Sequence, residues 1–141
     1  MRLSKEFDVS ATRDRARAVL GEDETLTSLF PDTITEIVAR AGRRRTTKSQ
    51  YRLLGQDGEA TFHFDAQDDG GVKFAKVCNG RIWKELAGRV TLDARGPKLR
   101  VRIDIEGKTK GLVPEFTIRT PLQKQIDDMA RALRKRMESN G

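Results

Sequence analysis

The spacing of apolar residues divides the chain into a strand-rich middle and a helical end. Leu122, Ile126, Met129, Leu133 and Met137 recur at helical intervals, with Asp127, Asp128, Arg131 and Arg134 off that stripe. Thr120 reads as an N-cap, Pro121 as the first helical residue and Gln123 as a capping-box partner, so a helix from Thr120 to Met137 is predicted. Arg134, Lys135 and Arg136 in its last turn suit the helix dipole. At the other end of the chain, Leu3, Phe7 and Val9 alternate with polar residues as in a half-buried strand, although Lys5 falls on the apolar parity. Ser10 then offers an N-cap to a short helix carrying Ala16, Val19 and Leu20 and stopping near Gly21. A second short helix, capped by Asp23 or Thr25, carries Leu26, Leu29 and Phe30 before Pro31 ends it.

From Ile34 to Glu106 the helical period vanishes. Short alternating segments are punctuated at Asp57-Gly58, Gly70-Gly71, Asn79-Gly80 and Gly96-Pro97, which is the pattern of an antiparallel meander. A two-residue turn at Asp57-Gly58 sets Leu53 opposite Phe62 and Tyr51 opposite Phe64, with Arg52 and Leu54 across from His63 and Thr61. The same arithmetic at Asn79-Gly80 sets Lys76 opposite Trp83 and Phe74 opposite Glu85, and neither face of that hairpin is wholly apolar. Gly88 marks a candidate bulge. In the final strand Leu99, Val101, Ile103 and Ile105 share one face. Val113 to Ile118 fits a strand, an extended approach or an early helical turn.

Composition narrows the picture. A chain of 141 residues, with no repeat or linker, reads as one domain over residues 1–141. Charged residues make up 35% against 36% hydrophobic, so the surface is expected to be densely charged, and the net charge of +7 favours anionic partners in general. The densest basic groups are Arg43-Arg44-Arg45 with Lys48, and Arg131, Arg134, Lys135 and Arg136. Acidic residues are scattered among them and no nucleic-acid motif is present, so a solvated surface is the expectation and a nucleic-acid partner is not. The single cysteine, Cys78, has no intramolecular disulfide partner, and neither a signal peptide nor a membrane span is legible, so a cytoplasmic home is expected. With one histidine, His63, on the parity opposite to Phe62 and Phe64, and no cysteine-rich spacing, neither a metal site nor a cofactor is expected.

The order strand, two short helices, about six strands and a long helix resembles the helix-grip fold of the START/polyketide cyclase (SRPBCC) superfamily, to which the birch pollen allergen also belongs. Its local carriers are Phe7-Asp8-Val9-Ser10, Leu26 to Pro31, Arg81-Ile82-Trp83-Lys84-Glu85-Leu86, Leu112-Val113-Pro114 and Gln123 to Leu133. The resemblance implies an α+β fold: a curved seven-stranded antiparallel sheet with two short helices after the first strand and the C-terminal helix packed in its concave face. It also implies a cavity of the kind that holds lipids, sterols, polyketides or hormones, and no universal catalytic residue.

Carried onto this chain, the ligand-binding walls would be Tyr51, Phe62, Phe64, Phe74, Trp83, Leu122, Ile126 and Met129. In a domain without a cavity the same residues form a solid core. Lys76 and Glu85 orient a ligand if their face of the hairpin points inward, and with Trp83 form a surface cation–π cluster if it points outward. The function these readings favour is binding of an apolar or amphipathic small molecule. One alternative is a cyclase or dehydratase using Tyr51 and Glu85 for acid/base work. The other is an interaction protein that docks its basic surface on an acidic partner.

Overall fold

The computed structural model describes residues 1–53, 56–78 and 82–139. Its elements run β1 (Arg2–Val9), α1 (Arg13–Gly21), α2 (Asp23–Thr27), β2 (Ile34–Ala41), β3 (Arg44–Leu53), β4 (Gln56–Ala66), β5 (Val72–Lys76), β6 (Trp83–Arg95), β7 (Lys98–Thr109) and α3 (Glu115–Glu138). The strands form one antiparallel sheet in the order β1-β7-β6-β5-β4-β3-β2, leaving β1 and β2 as its edges. The arrangement is the α+β architecture expected, with the short helices after the first strand and the long helix last.

Helix α3 lies across one face of the sheet, here the inner face, running closest to β1 and β7 and touching α1 and α2. Its buried stripe is Leu122, Ile126, Met129, Leu133 and Met137, joined by Ala130. Each large apolar side chain of that stripe contributes about 1.5–3 kcal/mol through burial. Opposite lie Leu99, Val101, Ile103 and Ile105 of β7, at most 5% exposed, with Leu3 and Val9 of β1. The off-pattern Lys5 points the same way and reaches the flank of the helix, where its ammonium meets Asp127 at 2.9 Å.

The start of α3 differs from expectation. The helix begins at Glu115, with Pro114 at the cap, and Pro121 sits inside it rather than at its first position. A proline there removes one backbone donor and crowds the carbonyl four residues earlier. That carbonyl belongs to Thr117, which is exposed to solvent, so the lost bond leaves no buried acceptor unpaired and the turns before Leu122 persist with little to bury. At the first helix, Thr12 rather than Ser10 is the N-cap, its hydroxyl accepting from the Arg15 amide at 3.1 Å. Neither Asp23 nor Thr25 caps α2: both lie inside it, and Thr25 donates its hydroxyl to the Val19 carbonyl.

Two registers also depart from the two-residue-turn arithmetic. In the β3–β4 pair Leu53 opposes Gln56 and Tyr51 opposes Gly58, so Asp57-Gly58 lies within β4 and not at the turn. The displacement is even, and Tyr51, Phe62 and Phe64 still share one face. The expected partner Leu54 lies outside the described residues. In the β5–β6 pair Phe74 opposes Gly88, not Glu85, an odd displacement that exchanges the faces. The irregularity in β6 falls between Trp83 and Glu85 rather than at Gly88, and it turns Trp83 inward alongside Leu86 and Val90. The Asn79-Gly80 turn and Arg81 lie outside the described residues. Val113 is neither strand nor helix: its carbonyl accepts from the Thr109 hydroxyl at 2.7 Å.

Candidate functional site

The inner face has two ends of different character. At the end beneath α1, α2 and the C-terminal half of α3, packing is nearly complete. Among the described residues the space between sheet and helix there is about 10 Å³, bounded by Leu20, Leu26, Phe64, Phe74, Met129 and Leu133. That is about the volume needed for one water and has no room for a ligand. Phe64 stacks obliquely on Phe74 at 5.8 Å between ring centroids. In the structure Phe64, Phe74, Ile126 and Met129 are therefore core.

Toward the other end, where β3 and β4 meet and α3 begins, burial loosens. Tyr51, Phe62 and Lys76 are half-buried on the inner face, while Trp83 and Leu122 are buried beside them. The facing of Lys76 follows from its place opposite Phe62 and two residues after Phe74. Its ammonium donates to the carbonyl of Val77 at a long 3.4 Å.

Cross-strand glycines underlie aromatic rings at both ends of the inner face. A Cβ at Gly58 would come within 2.6 Å of the Tyr51 ring, and one at Gly107 within 2.6 Å of the Trp83 ring; at Gly88 it would fall inside 3.0 Å of both the Phe74 ring and the Asp104 carbonyl. Each aromatic lies flat over the bare backbone of a neighbouring strand, which widens the contact area of the ring and removes the side chain that would hold it upright. Aromatic content was legible in the sequence. The glycine beneath each ring was not, because it requires the register.

One flank of the inner face is polar. Along β3 the inward residues are Arg45, Thr47, Ser49 and Tyr51, of which Thr47 and Ser49 are buried. The Ser49 hydroxyl bonds that of Thr35 at 2.7 Å, Thr35 lies 3.3 Å from the Thr33 hydroxyl, and Thr33 donates to the Phe30 carbonyl. The guanidinium of Arg45 donates to the carbonyls of Leu20 and Gly21, covering the negative end of α1. The hydroxyl chain and Arg45 thus fasten α1 and α2 to the sheet edge.

The remaining candidates separate from the site. Glu85 is exposed on the outer side, so the expected grouping of Lys76, Trp83 and Glu85 does not form. His63 faces outward, its Nδ1 hydrogen-bonded to the Thr46 hydroxyl at 2.8 Å. The Cys78 thiol lies 3.5 Å from the Lys76 carbonyl. Of the basic run, Arg43 pairs with Asp68 and Arg44 with Asp65. Arg136 is held by Thr25 and Glu22, and Arg131 by Asp128. An open groove of about 740 Å³ runs between Pro31 and the outer flank of α3. Apart from Arg119 its charges answer one another: Lys124 and Arg131 meet Asp128, while Lys5 and Gln123 meet Asp127. The Lys5 hydrogen bond, aided by Gln123, holds the Asp127 carboxyl below the ordinary aspartate range. No group of three or more acidic, histidine or cysteine side chains among the described residues is arranged to hold a metal ion, and no described helix is long and apolar enough to cross a membrane.

The sequence matches no family model and no curated protein sequence. Solved structures do resemble the fold. A START superfamily protein from Mycobacterium smegmatis aligns over 97% of both chains with a TM-score of 0.77 and 19% identity. The Zhui aromatase/cyclase from Streptomyces sp. R1128 aligns over 96% of this chain and 93% of its own, with a TM-score of 0.75 and 14% identity. A STAR-related lipid transfer protein from Xanthomonas axonopodis aligns over 98% and 86%, with a TM-score of 0.70 and 14% identity. The chain shares the helix-grip fold of these proteins. At these identities the likeness establishes architecture, and function has to be argued from the site.

Proposed function

We propose that this protein binds an amphipathic small molecule with an apolar body and an anionic or hydrogen-bond-accepting head, at the loosely packed end of the inner face. The observation that carries the reading is the half-buried set Tyr51, Phe62 and Lys76 beside Trp83 at the margin of the core: an aromatic surface with a phenol and an ammonium on the helix-facing side of the sheet. An apolar body would rest on the flat rings of Tyr51 and Trp83 and on Phe62 and Leu122, and the head would meet Lys76. Ile126, Met129, Phe64 and Phe74 would form the closed back wall. Among the neighbours in fold, one is described as a lipid transfer protein and another as an aromatase/cyclase. Binding is favoured over a cyclase or dehydratase reaction because Glu85, one of the two acid/base candidates, lies on the outer side and leaves Tyr51 without it.

The test is a titration followed by fluorescence of Trp83, the one tryptophan of the chain. Dodecanoate and dodecanol share an apolar body and differ in the head. Saturable binding with preference for the carboxylate is expected, and Lys76→Met should erase roughly tenfold of that preference, the scale of a charge-assisted hydrogen bond. Absence of any saturable response to either compound would overturn the reading.

A further inference from the structure

We infer that the loop between β7 and α3, with the first turn of α3, is a docking surface for an anionic lipid bilayer. Leu112 is 99% exposed and Phe116 is 79% exposed, in a chain whose other large apolar side chains are mostly buried. The backbone presents them deliberately. The Val113 amide donates to the Lys110 carbonyl at 2.8 Å, closing a tight turn with Leu112 near its tip, and Phe116 follows in the first helical turn. From Glu115 to Pro121 only Ile118 is partly buried, packed against the core, and the other six residues, Phe116 among them, are exposed.

Charge selects the partner. Lys84 at the start of β6, Lys108 near the end of β7, Lys110 just after it, and Arg119 one turn beyond Phe116 are all exposed. Lys84, Lys108 and Arg119 have no ion-pair partner among the described residues, in contrast to the paired arginines of the Arg43–Arg45 run. The carboxylates in the same region are Glu85, opposite Lys108 in the ladder, and Glu115, which lies 3.7 Å from the Met1 ammonium. Three cations without an ion-pair partner, Lys84, Lys108 and Arg119, therefore lie on the elements that flank the two protruding apolar side chains, against Glu85 and a Glu115 already paired with Met1. A cationic collar around an apolar tip suits a headgroup layer over hydrocarbon. Two side chains offer on the order of a few hundred Å², short of the roughly 1,200 Å² of a stable protein–protein interface, and they project instead of lining a groove. A bilayer needs no matching pocket.

The test uses the full chain with vesicles of phosphatidylcholine alone and of phosphatidylcholine mixed with phosphatidylserine, separated by flotation at physiological salt, with no cleft ligand added. Binding to the anionic vesicles and little to the neutral ones is expected. The double variant Leu112→Ser/Phe116→Ser, which leaves every charge in place, should lower partitioning roughly ten- to a hundredfold. Lys84→Gln/Lys108→Gln should lower it roughly tenfold and flatten its salt dependence. All of these positions are exposed, and circular dichroism verifies that each variant is folded. Undiminished binding by Leu112→Ser/Phe116→Ser would reduce the effect to bulk charge and overturn the assignment, as would absence of binding to anionic vesicles. A concentration-dependent dimer abolished by that variant would overturn it in favour of a second copy of the chain. Because no ligand is present, none of these outcomes depends on the cleft reading.

Discussion

Replacing Gly88 with alanine tests the central geometric claim, that glycine lets an aromatic ring lie on the sheet. The added methyl would sit inside 3.0 Å of two groups, the Phe74 ring and the carbonyl oxygen of Asp104. The ring cannot simply tilt away, because Phe64 packs against it at 5.8 Å and the free space beyond is about 10 Å³. The carbonyl cannot retreat without opening the ladder in which Gly88 opposes Ile105 and Arg89 opposes Asp104. Overpacking of this kind costs about 1–3 kcal/mol, and the obstruction by backbone places it in the upper half of that range. Relief of glycine's unfolded-state entropy returns about 0.5–1 kcal/mol, leaving a net loss of about 2 kcal/mol. For a chain of this size that corresponds to a fall in Tm of about 6 °C. Urea unfolding followed by both Trp83 fluorescence and far-ultraviolet circular dichroism measures it, with a lower midpoint and an unchanged slope expected. Gly111→Ala is the control: a Cβ there meets nothing within 4 Å, so stability should stay within about 0.5 kcal/mol of the parent. Adding Phe74→Leu to Gly88→Ala should recover part of the loss, because one obstruction goes and the carbonyl stays. A Gly88→Ala midpoint at or above that of the parent would refute the reasoning.

Met129→Ala should cost about 2–5 kcal/mol by calorimetry, since the residue closes the packed end at 3% exposure. It should also open an apolar chamber able to take up benzene, detectable as a rise in Tm when benzene is added. Thr12→Ala removes the hydroxyl that accepts from the Arg15 amide and should cost about 1 kcal/mol in the same assay. Acid should destabilise the fold in a defined direction. Hydrogen bonds from Arg100 to Asp8, Arg40 to Asp23, Arg44 to Asp65 and Lys5 to Asp127 hold those carboxyls below their ordinary values, and the Ser10 amide does the same for Glu138. The unfolded chain then binds more protons, so this stabilisation is complete above the ordinary carboxylate pKa and is lost as pH falls through it toward the depressed values. A series of Tm measurements from neutral pH downward should show a decline that begins near pH 5 and steepens below pH 4, on the order expected for carboxylates.

The sequence by itself determined the elements and much of their facing. Helical and alternating periods arise from bond geometry within a few residues, so the stripe from Leu122 to Met137 and the apolar face of β7 are readable wherever they occur. The same local rules misjudged how elements begin and meet. Thr120-Pro121 carries a helix-start signal, yet the helix was already under way, because a proline obstructs only the turn before it and that turn is exposed here. Asp57-Gly58 carries a turn signal and lies inside a strand, but the even displacement left Tyr51 and Phe62 on the inner face. At β5–β6 the displacement was odd, and with the irregularity beside Trp83 it sent Glu85 outward while Lys76 and Trp83 stayed in. Only the tertiary structure decided these matters, along with the glycine beneath each ring, the filling of the space below Met129 and the exposure of Leu112 and Phe116. Each depends on which backbone lies opposite and what volume remains, and those are properties of pairs distant in the chain.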